Sequence, residues 1–341
     1  MTTRRIFLKT GSAVLTGAIA APFVITPSRA QSFSLRMQGF LAAASPTHRA
    51  FEKWASDIKE KSGGRLTIQA LPAGGAVAPG ETINAIAAGI LDGHYSSSSF
   101  FAARDAGFTV FGDTGASYDT VEQRDRWFTE GGGEDLGREL YAASGLVYVA
   151  NVFWPSEHIP ARKALRSVAD LKGLKIRVPP GFVAEYFGKA GAAVVNLPGG
   201  EVFNALQSGV IDAADWASPG QNYEVGLYKA GKFSVYAAHS MPGTEIGFNK
   251  AKWDALPAEL KQLILAETRA MSAALKVQIK ADDDAALAKM RSEGVEIITW
   301  PKEELAKLRA FTSEVQDTLA ARSPVARKII DSHRAFQKTI G

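Results

Sequence analysis

Cysteine is absent from all 341 residues. That excludes a disulfide framework, a thiolate metal site, a cysteine nucleophile and a lipidated N-terminal cysteine. Acidic residues are absent from the first 30 positions, which carry four basic ones: Arg4, Arg5, Lys9 and Arg29. The whole chain holds 39 basic and 35 acidic side chains, so everything after that segment is formally neutral. A polyanion partner needs a standing basic field, and nucleic acid is therefore not expected. Histidine is scarce as well. His48, His94, His158, His239 and His333 never pair at i+4, and no His-Glu-x-x-His occurs, so a histidine metal site has no local support. Neither a Gly-x-Ser-x-Gly elbow nor a Gly-x-Gly-x-x-Gly fingerprint is present. Gly226 to Phe233 fits a phosphate loop only until Phe233 takes the place of a magnesium-binding Ser or Thr, and it reads as a helix end. With no acid, base or nucleophile assembled, the pattern favours binding over catalysis.

What is present is a globular composition, 46% apolar and 22% charged, which excludes disorder and collagen. The N-terminal segment runs Arg4-Arg5-Ile6-Phe7-Leu8-Lys9, then an uncharged stretch from Thr10 to Ser28, then Ser28-Arg29-Ala30. This charged, apolar, small order is that of a bacterial export signal, and the paired arginines point to the twin-arginine route. The competing reading is a membrane anchor, but the stretch is diluted by Gly11, Ser12, Gly17, Pro22 and Pro27. An anchor wants about 20 strongly apolar residues. Cleavage after Ala30 and a soluble periplasmic protein are expected.

The mature chain alternates strand-like and helical patterns. Phe33–Gln38 alternates, Pro46–Lys61 has helical spacing and Leu66–Leu71 is again strand-like, which is the grammar of an α/β fold. Gly80–Asp92 and Gly200–Asp212 echo one another at an offset of 120 residues, each reading as a helix that ends at a left-handed glycine, Gly89 or Gly209, before a strand. The echo is either a chance recurrence of a common supersecondary unit or the trace of two similar half-domains facing one another. From Pro257, at the first turn, the chain runs to Arg291 without another Pro or a Gly and at about 1.5 Å per residue would span roughly 50 Å, so it is placed as a strut across both lobes. Gly294 closes it, Val295–Trp300 is a strand and Pro301 starts the last helical region. The expected architecture is a two-lobed α/β clamshell with a long bridging helix. Its expected boundaries are residues 31–152 with about 245–256 for lobe I, 153–244 for lobe II, 257–293 for the bridging helix and 294–341 for a C-terminal strand and helices packing on the lobes.

Two places stand out for chemistry. Arg177 ends the strand Leu174–Val178 just before Pro179-Pro180, where its guanidinium can reach a crevice and hold a carboxylate bidentately; a solvated or structural arginine is the plain alternative. Asp215-Trp216 follow the second echo strand, and an indole beside a carboxylate can supply one wall and one polar point of a pocket; core packing is the competing account for the tryptophan. Phe101 is expected as a second wall, because Ser96–Ser99 leads out of the first echo strand.

These residues resemble a known family. Asp170–Val178 (DLKGLKIRV), Ala205–Ala213 with its Gly-Val-Ile-Asp-Ala ending, Asp215-Trp216, and Phe248-Asn249-Lys250 with Trp253 and Leu256-Pro257 are similar to the DctP-type solute-binding proteins of TRAP (tripartite ATP-independent periplasmic) transporters. The similarity runs over essentially the whole mature chain and is closest to the branch that binds 2-oxo acids. It implies a two-lobed α/β clamshell of the periplasmic-binding-protein kind (type II) and a receptor, not an enzyme, that closes on a small organic acid, a 2-oxo or 2-hydroxy monocarboxylate, and delivers it to a membrane permease. A sugar acid or a C4-dicarboxylate is the alternative ligand, and a periplasmic enzyme or a sensor module the alternative role. Arg177 matches the family's carboxylate-clamping arginine, and Asp215-Trp216 occupy the pair that helps hold a cation, Na+ or Ca2+, beside the ligand. The region where the branch places a glutamine reads Trp154-Pro155-Ser156-Glu157-His158, which brings Ser156 and Glu157 in as ligand-binding candidates. Met241 stands where a glutamate usually precedes Pro242-Gly243. The chain is expected to be monomeric, since it stops at Gly341, before the extended C-terminal helix through which a family member dimerises.

Overall fold

The computed structural model describes residues 31–340; the export-signal expectation for residues 1–30 lies outside them. Helix Pro46–Lys61 shows how local sequence sets the elements. Ser45 caps it by accepting from the His48 N–H at 3.1 Å, and Pro46 stands in the first turn, where a missing N–H costs nothing. Phe51, Trp54, Ala55 and Ile58, spaced on one face, are buried.

Eleven strands among the described residues form two sheets. The first contains β1 (Phe33–Gly39), β2 (Leu66–Leu71), β3 (Gly93–Ser96), β4 (Leu146–Val152) and β10 (Thr244–Asn249) in the order β2-β1-β3-β10-β4. β1, β2 and β3 are parallel, whereas β10 runs antiparallel to both neighbours. The second contains β5 (Ile159–Ala161), β6 (Lys175–Arg177), β7 (Ala193–Val195), β8 (Ala213–Ala214), β9 (Phe233–Tyr236) and β11 (Glu296–Thr299) in the order β11-β9-β5-β8-β6-β7. Here β6, β7 and β8 are parallel. The chain passes from the first sheet to the second between β4 and β5, and returns between β9 and β10.

A third connection is the helix Ala258–Ser292, 35 residues long, or about 52 Å. It binds elements belonging to both sheets. Thr268 accepts from the Trp54 indole at 3.2 Å and Glu267 pairs with Lys61 at 2.7 Å. Ser272 accepts from the Phe153 N–H on the first crossing at 2.8 Å. Farther along, Asp283 accepts from Ser218 at 2.6 Å and from the Gly220 N–H at 2.8 Å, holding the helix Pro219–Glu224 that follows β8. The molecule is thus a two-lobe α/β fold with a bridging helix. Helices Lys302–Arg322 and Pro324–Ile340 pack on each other and on the helices Ala106–Gly112 and Phe182–Lys189, their apolar faces carrying Leu308, Val315, Leu319, Ile329 and Ile330 into the main core.

The internal echo has the same local form twice. A single 3-10 turn (Pro79–Glu81, Gly199–Glu201) leads into a short helix (Thr82–Ala87, Val202–Ser208). Gly89 and Gly209 then take φ of +74° and +78°, a region that only glycine visits cheaply. In each copy the closing aspartate ties the strand that follows to its neighbour: the Arg36 N–H donates to the Asp92 carboxylate at 2.8 Å, and the Lys175 N–H to that of Asp212 at 3.1 Å.

Candidate functional site

β1, β2 and β3 of one sheet and β6, β7 and β8 of the other direct their carboxyl ends at a common cleft. Residues just beyond those ends line a cavity of about 980 Å3: Phe40, Ala73, Ser97 and Ser99 from the first sheet, Pro179, Asn196 and Trp216 from the second. Crevices outside strand carboxyl ends are where ligands bind in open α/β sheets. The opening turns of both echo copies, Pro79-Gly80 and Pro198-Gly199-Gly200, also border this cavity. Gln221 donates to Thr47 at 3.0 Å, joining the helix after β8 to the first helix of the chain.

Arg177 is the last residue of β6, paired with Val195 on one side and Ala214 on the other. That register puts its guanidinium between the two outgoing chains. Nε donates to the Leu197 carbonyl at 3.0 Å and Nη1 to the Asp215 carbonyl at 2.7 Å. Nη2 has no such bond, and the residue, 7% exposed, borders the cavity. Burial pulls its pKa down, opposed by the Asp215 and Glu157 carboxyls; an arginine stays charged under such pressure. It is the only basic residue among those lining the cavity.

Beside it lies a dry polar cluster drawn from three stretches of chain. Glu157 comes from the first crossing, Asp215 from the end of β8 and His239 from the second crossing, and one donor atom of each lies within 4.8 Å of the others. His239 Nε2 and Asp215 Oδ1 are 3.0 Å apart. Burial pushes Asp215 up to about 6, His239 down to about 4 and Glu157 well above the ordinary carboxylate range, the last helped by the Asp215 charge. Ser240 Oγ lies 2.6 Å from both Asp113 and Glu157. A hydroxyl has one proton to donate, so one of these contacts takes its proton from the carboxyl, in line with the raised pKa of Glu157. The Trp154 indole donates to the other Glu157 oxygen at 3.0 Å.

The second crossing also carries strain. Ala238, buried just before His239, has φ of +43°, the only positive value among the described non-glycine residues. Such a conformation costs on the order of 1–2 kcal/mol and persists where its surroundings enforce it. Arg124, itself buried, donates to the carbonyls of Met241 and Pro242 on this crossing and, at 2.7 Å, to that of Trp154 on the other.

The candidates named from sequence therefore divide. Arg177, Trp216 and Glu157 border the cavity, and Asp215 lies directly behind it. The half-buried Trp216 donates to the Gly199 carbonyl at 3.3 Å. Phe101 is a correction. It is 2% exposed and stacks on His94 with centroids 5.5 Å apart, in the core of the first sheet. The 3-10 turn Ser98–Phe101 sends the two phenylalanines in different directions, and Phe100 borders the cavity instead. Ser156 is not among the lining residues either; its hydroxyl is buried without a hydrogen-bond partner. Asp113, His239 and Ser240 had no local signal. Their one mark in the sequence is polarity within the otherwise apolar runs that precede Gly115 and Pro242.

The two carboxylates and the imidazole make a donor set, and Asp215 Oδ2 and His239 Nδ1 are buried without partners. Two carboxylate oxygens suit a hard cation, with His239 better placed to orient Asp215 than to bind. The set fits a Na+ or Ca2+ ion. Among the described residues no helix is long and apolar enough to cross a membrane.

Comparison with known proteins places this architecture. The family model described as "Bacterial extracellular solute-binding protein, family 7" matches residues 37–323. A monocarboxylate 2-oxoacid-binding periplasmic protein of Nostoc sp. is 26% identical over 297 residues, covering 85% of this chain and 80% of that one. A TRAP periplasmic solute-binding protein from Rhodobacter sphaeroides, solved in an apo open form, is 32% identical with a TM-score of 0.75, covering 91% of this chain and 99% of that one. Another from Pseudoalteromonas atlantica, solved with sodium and pyruvate, is 27% identical with a TM-score of 0.80, covering 91% and 95%. The family is extracytoplasmic and made up of solute-binding receptors that work with membrane permease components. The two-sheet, two-lobe α/β fold thus agrees with the sequence match, and the chain belongs to family 7 of the bacterial extracellular solute-binding proteins, the DctP-type receptors of TRAP transporters.

Proposed function

We propose that the cleft binds a 2-oxo or 2-hydroxy monocarboxylate and hands it, unreacted, to a TRAP permease after export through the twin-arginine route and signal cleavage. The observation that carries this reading is the Arg177 guanidinium, anchored by two loop carbonyls with Nη2 unengaged at the cavity wall. A fork held that way is preorganised for a carboxylate. Trp216 is assigned as a wall of the pocket. Glu157 and Asp215, with the Trp216 carbonyl, are assigned to a Na+ or Ca2+ ion, which would supply positive charge for the oxo or hydroxyl oxygen and relieve two carboxyls crowded in a dry site. The lobe boundaries follow the sheets, with the two crossings and the bridging helix as hinge. The receptor works as a monomer.

The test is native mass spectrometry of protein purified without refolding, followed by calorimetry with 2-oxo monocarboxylates in sodium buffer. A co-purified acid and saturable 1:1 binding are expected. Absence of binding across the series, or turnover of the bound acid, would remove the proposal.

A further inference from the structure

The walls of the cavity carry more information than its single positive charge. Phe40, Phe100 and Trp154 form a continuous aromatic wall, Phe40 lying 6.0 Å from Phe100 and 5.3 Å from Trp154 by ring centroids. Phe182, Phe203 and Trp216 border the cavity from the other sheet. Four of these six rings (Phe40, Phe100, Phe203 and Trp216) are only half-buried, so they keep apolar surface free. The cavity measures about 980 Å3. A three-carbon acid displaces about as much as three waters, roughly 90 Å3.

Charge narrows the ligand further. Besides Arg177 the charged residues bordering the cavity are Asp113, Glu157 and Glu224, all acidic. Asp113 and Glu157 share the Ser240 hydroxyl, and Glu224 is exposed at the mouth, 3.8 Å from Arg49. A second ligand carboxylate would find no second basic side chain in the cavity wall and would face aromatic rings, at a desolvation cost that no such partner offsets.

We infer that this receptor, given the carboxylate-binding reading above on which the inference rests, selects a monocarboxylate with a bulky apolar body, an aryl or branched-alkyl 2-oxo acid. Arg177 holds the carboxylate, and the facing rings sandwich the apolar group. Phe203 and Phe100, one from each sheet, are the specificity-determining residues. Burying a phenyl group between such walls is worth roughly a tenfold to hundredfold gain in affinity over the bare three-carbon acid.

Calorimetry of the full mature protein with pyruvate, 4-methyl-2-oxopentanoate, phenylpyruvate and 2-oxoglutarate, in one sodium buffer, tests this. Affinity is expected to rise from pyruvate through 4-methyl-2-oxopentanoate to phenylpyruvate, with 2-oxoglutarate weakest. Pyruvate binding as tightly as phenylpyruvate, or 2-oxoglutarate binding best, overturns the inference while leaving carboxylate binding intact. Failure of all four to bind overturns the carboxylate reading itself. Phe203→Ala is expected to weaken phenylpyruvate about fivefold or more and to weaken it clearly more than pyruvate; an equal effect on both acids, or none on either, also counts against the inference. The wild-type series stands without the variant, should Phe203→Ala not fold.

Discussion

Replacing Arg177 by lysine keeps the charge and removes the fork, which makes it the sharpest probe of the cleft. In the wild type, Nε and Nη1 are committed to the carbonyls of Leu197 and Asp215 at 3.0 and 2.7 Å, Nη2 has no such bond, and the residue borders the cavity. A lysine ammonium is a single point on a flexible stem and cannot meet both carbonyls and a planar carboxylate together. Losing one charge-assisted hydrogen bond to the ligand costs about 1.5–3 kcal/mol, or roughly a 10- to 150-fold rise in Kd. The buried Asp215 carbonyl also loses its cationic donor, which lowers folding stability by about 1–3 kcal/mol. Both effects are separable by measuring Kd by calorimetry well below the transition and Tm by differential scanning calorimetry without ligand. A Kd within twofold of wild type would refute the clamp. A lower Tm with unchanged Kd would assign Arg177 to holding the strand ends alone.

Three further outcomes follow from the same geometry. Glu245 is buried, accepts from the Tyr141 hydroxyl at 2.5 Å and has its pKa raised to about 8 by burial. A raised carboxyl holds its proton in the folded state, so the stability it brings is complete below pH 4.5 and disappears as pH climbs through 8; Glu245→Gln is expected to flatten the fall of Tm between pH 6 and 9, and parallel curves would refute it. Ligand affinity is expected to drop at least tenfold in sodium-free, chelated buffer, with Asp215→Asn abolishing the dependence; binding indifferent to cations removes the ion from the site. Saturating ligand is expected to change tryptophan emission, reduce the radius of gyration in small-angle scattering and raise Tm by mass action. Trp216→Phe should remove most of the emission change, and an unaltered scattering curve would rule out closure.

Local physics made much of this protein legible in its sequence. The capped helix Pro46–Lys61, the two helix–glycine–strand echoes and the helix Ala258–Ser292 all rest on short-range rules of periodicity, capping and left-handed glycine, which need no knowledge of partners. Arg177 and Trp216 were legible for a related reason: a residue that ends a strand before a loop is placed at a crevice by α/β architecture itself. Phe101 failed because adjacent residues of one 3-10 turn differ by about a third of a revolution. Which of two neighbouring phenylalanines meets the cavity depends on the His94 ring that only the fold puts beneath one of them. The cluster of Glu157, Asp215 and His239 was out of reach because its members lie on two interlobe crossings and one strand end, far apart in sequence, and meet only when the chain has crossed twice between sheets. Their shifted pKa values are a property of that meeting: dehydration shifts all three and the Asp215 charge adds to it at Glu157, and the sequence carries no distance between residues 157, 215 and 239.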